Sequence, residues 1–187
     1  MVSHVAVLDF WFGPGSGPDL WFGAAATTDR EVRHRFGGKL ADAVAGRLDG
    51  WAETPEGAVA LVVLLDQFSL QLHRKQRRGY EQASLALPVS QRAIARGFDR
   101  KLGCEQRGFL YMPFMHAEDL ALQERSVELF TRLAEECAGR SIEGFLKSAI
   151  EHRDIVRTYG RFPGRNACYG RRSTAAENDY LAQGGHF

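Results

Sequence analysis

Cysteine is scarce in this chain of 187 residues, with Cys104, Cys137 and Cys168 the only three. Their odd number and wide spacing offer neither a disulfide framework nor a CxxC metal or redox pair, and they point to a reducing cytoplasm. Charge of one sign is also missing: 24 Lys and Arg stand against 23 Asp and Glu, a net +1. No global field draws the chain to nucleic acid or to an anionic membrane, so neither is expected as a partner. No apolar stretch approaches the ~20 residues that a membrane-spanning helix needs. The opening Met1-Val-Ser-His-Val-Ala-Val-Leu-Asp9 has no Lys or Arg before its apolar run, and Asp9 interrupts that run, so it does not read as a signal peptide. A soluble cytoplasmic protein is expected. Of its residues 44% are hydrophobic and 25% charged, enough for one domain, spanning 1–187, with a real core.

Familiar catalytic signatures are lacking as well. Gly13, Gly15 and Gly17 lie in a Pro-punctuated loop and make no nucleotide fingerprint, and no G-x-S-x-G elbow occurs. His152-Arg153-Asp154 spells the kinase catalytic tripeptide, but Tyr159 stands where its asparagine belongs. His-Glu-x-x-His is absent, and so is the pair of Glu-x-x-His motifs expected in carboxylate-bridged bundles, so no metal and no cofactor are expected.

Helical signals run through most of the chain. Thr28-Asp-Arg-Glu31 has the pattern of a capping box, and Val32, Phe36, Leu40, Val44 and Leu48 continue it as an apolar stripe. Thr54-Pro-Glu56 supplies an N-cap, a proline at the first helical position and an acid in the first turn. The helix it opens contains the unbroken apolar run Ala58 to Leu65, which belongs at the centre of a fold. Further helices are predicted over 80–97, kinked or restarted at Pro88, over 104–115, over 118–138 and over 141–159. Ser173-Thr-Ala-Ala-Glu177 caps a short last one. No segment alternates apolar and polar residues as a half-buried strand does, so the expected fold is all-α, built of antiparallel helical hairpins. The aromatic N-terminal segment 1–27 is expected to pack on helical repeats over 28–160, followed by a loop and short helix over 161–187.

A faint internal echo accompanies this pattern. Asp49 precedes Asp66 by 17 residues, and Asp99 precedes His116 by the same 17, which places Asp66 and His116 at equivalent points of two units. Each interrupts or ends an apolar stretch. His152 and Arg153 fall within the stripe defined by Phe145, Ala149 and Val156. A carboxylate, two imidazoles and a guanidinium could therefore converge. The competing reading is structural: Asp66 as a helix-end cap or ion-pair partner of Arg153, with satisfied core histidines. Beyond the last long helix, Arg161-Phe-Pro-Gly-Arg165-Asn166 could clamp a carboxylate or phosphate.

Several segments together resemble the bacterial domain-of-unknown-function 924 family. They are Val7-Leu-Asp-Phe-Trp-Phe-Gly13, Trp21-Phe-Gly23, Leu64-Leu-Asp-Gln-Phe68, Phe109-Leu-Tyr-Met-Pro-Phe114 with His116-Ala-Glu-Asp119, Gln123-Glu-Arg-Ser126, His152-Arg-Asp154 and Arg161-Phe-Pro-Gly-Arg-Asn166. The resemblance implies a fold like tetratricopeptide repeats, stacked as a right-handed superhelix, and implies no activity. Its motifs fall on Asp66, Gln67, His116, Glu118, Asp119, His152, Arg153, Arg161, Arg165 and Asn166. The chain departs from the pattern where Ser69-Leu70-Gln71 replaces the usual Pro-Arg-Asn, and where Ala83 replaces an aspartate.

Two functions compete on these residues. One is a binding module with a polar pocket for a small anionic molecule or an acidic peptide, lined by Asp66, His116, Glu118, His152 and Arg153, with Arg161 and Arg165 at its rim. The other is a hydrolase or lyase using a histidine and a carboxylate as acid and base. A carboxylate within hydrogen-bond reach of His116 or His152 in an enclosed cavity favours the second, and an open groove favours the first.

Overall fold

The computed structural model describes residues 3–23 and 26–185. Met1, Val2, Ala24, Ala25, His186 and Phe187 lie outside the described residues, and with them the first two positions of the opening segment and part of the segment 1–27. Helices joined by short turns account for most of the described residues, with no strand among them. In order the helices are α1 (His4–Phe12), α2 (Pro18–Phe22), α3 (Ala26–Val44), α4 (Pro55–Val62), α5 (Ser69–Leu72), α6 (Arg77–Ser84), α7 (Ala86–Ala95), α8 (Cys104–Met115), α9 (Leu120–Glu136), α10 (Arg140–Tyr159), α11 (Asn166–Tyr169) and α12 (Ala175–Ala182). Among the described residues no helix is long and apolar enough to cross a membrane.

The central rod starts as its side chains dictate. Thr54 Oγ1 accepts the Gly57 N–H at 3.1 Å, and Pro55 takes the first helical position, where its missing donor costs nothing. From Gly57 to Phe68 every residue is buried. α1, α3, α6, α7 and α8 all pack around this rod. Val7 and Trp11 of α1 are buried, and the Trp21 indole N–H donates to the Trp11 carbonyl at 2.7 Å. An edge-to-face aromatic cluster of Trp11, Trp21, Phe68, Phe109 and Phe145 fills the space between the N-terminal helices, the rod and α8.

α8, α9 and α10 run antiparallel. Arg107 near the start of α8 meets Glu136 at the end of α9, and Arg157 near the end of α10 meets Glu124 near the start of α9. The same geometry overturns the expectation that no disulfide is available. Cys104 opens α8 and Cys137 follows α9, so the hairpin brings their Cα atoms to 6.1 Å, and they are disulfide-bonded across 33 residues of sequence. Cys168 is the free thiol.

Three boundaries also differ from the sequence reading. α3 begins at Ala26, ahead of Thr28, because Glu31 bonds forward to Arg35 at 2.9 Å and Asp29 binds Arg74 at 2.9 Å, so neither serves a cap. α3 ends at Val44, and a turn with Gly46 at φ 74° separates it from Leu48. The segment over 80–97 is two helices broken at Leu85; Pro88 sits in the first turn of α7, where helices tolerate it.

After α10, Gly160 turns left-handed at φ 73° and the chain folds back. Glu177, 1% exposed, receives Arg161 at 2.6 and 2.8 Å and the Thr174 N–H at 2.7 Å, which pins α12 to that turn.

Candidate functional site

Asp66 and Gln67 lie where the central rod widens into a π-helical turn over Val63–Phe68, a local geometry that often marks a functional position. The carboxylate of Asp66 is fully buried, so both its oxygens need partners. Gln67 Nε2 donates to Oδ2 at 2.5 Å, with Met112 Sδ at 3.4 Å from the same nitrogen. Oδ1 lies 2.7 Å from His116 Nδ1. A carboxylate accepts, so Nδ1 carries the proton, and Nε2 is the ring nitrogen left for another molecule.

His116 ends α8, and the backbone around it is clamped. The Gln123 amide, fully buried on α9, donates to the carbonyls of Met115 at 2.6 Å and Ala117 at 2.7 Å, either side of the histidine. Arg165 Nη1 donates to the carbonyl of His116 itself at 2.8 Å. The second imidazole is close by: the His152 ring centroid is 6.0 Å from that of His116, and His152 Nδ1 donates to the Ser148 carbonyl at 2.7 Å.

His116 and Leu70 form the seam between two cavities. The larger, about 730 Å³, has walls of Trp21, Phe22, Met112, Met115 and Phe145, with Gln67, Gln71, Ser148 and His152 as polar points and Arg74 at one side. Gln71 Oε1 is buried there without a hydrogen-bond partner. Its size and mainly apolar lining suit a small molecule. The smaller, about 250 Å³, is bounded by Tyr80, Ala83, Ser84, Glu118, Arg165 and Tyr169. Leu70, Gln71 and Ala83 also border the cavities.

The remaining candidates separate into two groups. Glu118 and Arg165 join His116 at the small cavity. Burial pushes the Glu118 carboxyl up, but Arg171, the Phe162 N–H and the Arg165 charge outweigh it and hold the group below its usual range. Burial pushes the Arg165 guanidinium below the ordinary arginine range, against the pull of Glu118, Tyr80, Tyr169 and Asp66. Asp119, Arg153, Arg161 and Asn166 line neither cavity. Asp119 caps α9 by accepting the Leu122 N–H at 2.9 Å. Arg153 leaves the stripe that the helical wheel assigns it and pairs with Asp154 at 2.7 Å and Glu124 at 3.6 Å, so it is no partner of Asp66. Arg161 is held by Glu177, and the Asn166 amide nitrogen bonds Ser173 at 3.0 Å and Glu177 at 3.3 Å. The basic run His73 to Arg78 is likewise engaged in part, Arg74 by Asp29 and Arg77 by Glu81.

Sequence reasoning passed over the aromatic and methionine walls, since Trp21, Met112, Met115 and Phe145 read equally well as core. Gln123 opens one of the quoted motifs, and that was its one signal.

With this geometry in view, the chain belongs to the family described as bacterial protein of unknown function (DUF924), whose model matches residues 7–185. A solved structure of a protein of unknown function, ATU0120 from Agrobacterium tumefaciens, is similar to it over 96% of this chain and 97% of that one, at 38% identity and a TM-score of 0.86. No curated protein matches the chain.

Proposed function

We propose that the chain is a small-molecule enzyme of the hydrolase or lyase kind, in which the Asp66–His116 pair moves a proton on a substrate whose apolar body lies in the large cavity. The observation that carries this reading is the 2.7 Å contact between a fully buried carboxylate and an imidazole that borders both cavities. A buried acid that fixes Nδ1–H holds the ring in one tautomer and one orientation, which leaves Nε2 to exchange a proton with substrate. Gln67 holds the other carboxylate oxygen, and Gln123 and Arg165 fix the backbone on which the ring stands. His152 would act as a neighbouring polar contact for substrate.

The alternative, a module for a small anionic molecule or acidic peptide whose pocket is lined by Asp66, His116, Glu118, His152 and Arg153 with Arg161 and Arg165 at the rim, draws less support, because Arg153 and Arg161 already bind carboxylates of their own chain. To test the enzyme reading, the purified protein is incubated with a bacterial metabolite extract and the mixture is followed by untargeted mass spectrometry. Wild type should deplete one component and raise another, His116→Gln should do neither, and Asp66→Asn should slow the change by about 10²- to 10⁴-fold. An extract left unchanged by wild type, or changed equally by His116→Gln, would refute the proposal.

A further inference from the structure

The small cavity holds a guanidinium with no carboxylate in ion-pair reach among the described residues. Arg165 stands at the end of the turn Pro163–Arg165, its guanidinium between the rings of Tyr80 at 4.6 Å and Phe162 at 4.3 Å. Among the described residues its one hydrogen bond is to a neutral acceptor, the His116 carbonyl. Arg153, Arg157, Arg161 and Arg171 each have a carboxylate in ion-pair reach, and among the described residues Arg165 has none. Glu118, the acid bordering the same cavity, is occupied by Arg171 through both oxygens and by the Phe162 N–H. Glu118 is taken up by Arg171, so the Arg165 guanidinium presents a planar fork of donors to the cavity with no carboxylate paired to it among the described residues, flanked by the hydroxyl-bearing Ser84, Tyr80 and Tyr169.

A half-buried guanidinium without a counter-ion is costly, and its desolvation already pushes the Arg165 pKa down. A bound anion removes that cost. A single guanidinium fork beside the Glu118 carboxylate suits a monoanionic carboxylate better than a phosphate dianion, whose second charge would face Glu118. Because His116 and Leu70 are shared by both cavities, a head group on Arg165 places the adjoining part of the same molecule beside the imidazole and its apolar remainder between Trp21, Met115 and Phe145.

We infer that the small cavity is a carboxylate subsite, and that the molecule acted on is an acid with an apolar or aromatic body, its carboxylate on Arg165 and its body in the large cavity. This rests on the reading of the two cavities as one substrate site divided by His116. The test is calorimetric binding of 4-phenylbutyrate and of 4-phenylbutanol, which share the body and differ in the head, to wild type, Arg165→Met and Arg165→Lys. Wild type should prefer the acid by about tenfold or more, as expected of a charge-assisted contact. Arg165→Met should bind acid and alcohol alike, and Arg165→Lys should keep part of the preference. Equal binding of the two by wild type, binding of neither, or an undiminished preference in Arg165→Met would overturn the inference. The comparison within wild type stands even where a variant fails to fold. No turnover is read, so the acid preference and the proton-transfer role of Asp66–His116 stand or fall separately.

Discussion

Reduction of the Cys104–Cys137 bond should destabilise the protein substantially without changing its fold. The bond closes a loop across 33 residues, and constraining the unfolded chain over that length is worth about 3–4 kcal/mol in the chain-entropy treatment. The folded hairpin has other reasons to persist: Arg107 bonds Glu136 at the same open end, and Phe130 and Leu133 of α9 are fully buried. The effect should therefore appear as a lower melting temperature with an unchanged helical spectrum, by roughly 7–15 °C for a chain of this size. The assay begins with a thiol count on air-equilibrated protein unfolded without reductant, where one thiol, Cys168, should titrate. Melting curves follow with and without phosphine reductant, beside a Cys104→Ser, Cys137→Ser double variant that should melt like the reduced protein. Three titrating thiols, or a reduced protein that melts where the oxidised one does, would refute the reasoning.

Two other perturbations test the packing around the site. A Cβ at Gly108 would stand 2.5 Å from Phe145 Cε2 and 2.6 Å from its Cδ2, so Gly108→Ala must displace a ring that walls the large cavity; a loss of about 1–3 kcal/mol in urea unfolding is expected, and an unchanged midpoint would contradict the packing. The Arg161 hydrogen bonds hold the Glu177 carboxyl at about 2, below its ordinary 4.5, so its stabilising contribution is complete above pH 4.5 and is lost as pH falls through about 2. Glu177→Gln should be less stable than wild type at neutral pH and should lack that acid-side loss; parallel pH profiles of the two proteins would contradict this.

Elements were readable in the sequence wherever side chains near in sequence define them. Thr54-Pro55 opens the rod, Thr174 and Glu177 cap α12 reciprocally, and α8 spans the expected Cys104 to Met115. The start of α3 was misplaced because the cap pattern lost to other partners: Glu31 pairs with Arg35 one turn on, Asp29 pairs with Arg74 across the fold, and the Thr28 box never formed. The disulfide was illegible for a related reason. Spacing along the chain says nothing about two residues that a hairpin folds back to the same end. The echo, by contrast, carried spatial information: Asp49 and Asp99 each start a short 3₁₀ turn ahead of α4 and α8, and the positions 17 residues on come into direct contact. The helical wheel placed His152 correctly in the buried face but failed for Arg153, whose long side chain reaches Glu124 and Asp154 instead. Arg165 was legible as an anion clamp beside Arg161, but its lack of a carboxylate partner among the described residues was not, because that depends on Arg171 reaching Glu118 from 53 residues away.

The proton arrangement of His116 is the most direct test of the site. Nitrogen-15 correlation spectra of the histidine rings, taken at about pH 8 where an ordinary imidazole is neutral, report which ring nitrogen is protonated. The expected result is a proton on His116 Nδ1, shifted downfield by the Asp66 carboxylate, with a bare Nε2, and loss of that signal in Asp66→Asn. A proton on Nε2, or a spectrum unchanged by Asp66→Asn, would contradict the dyad.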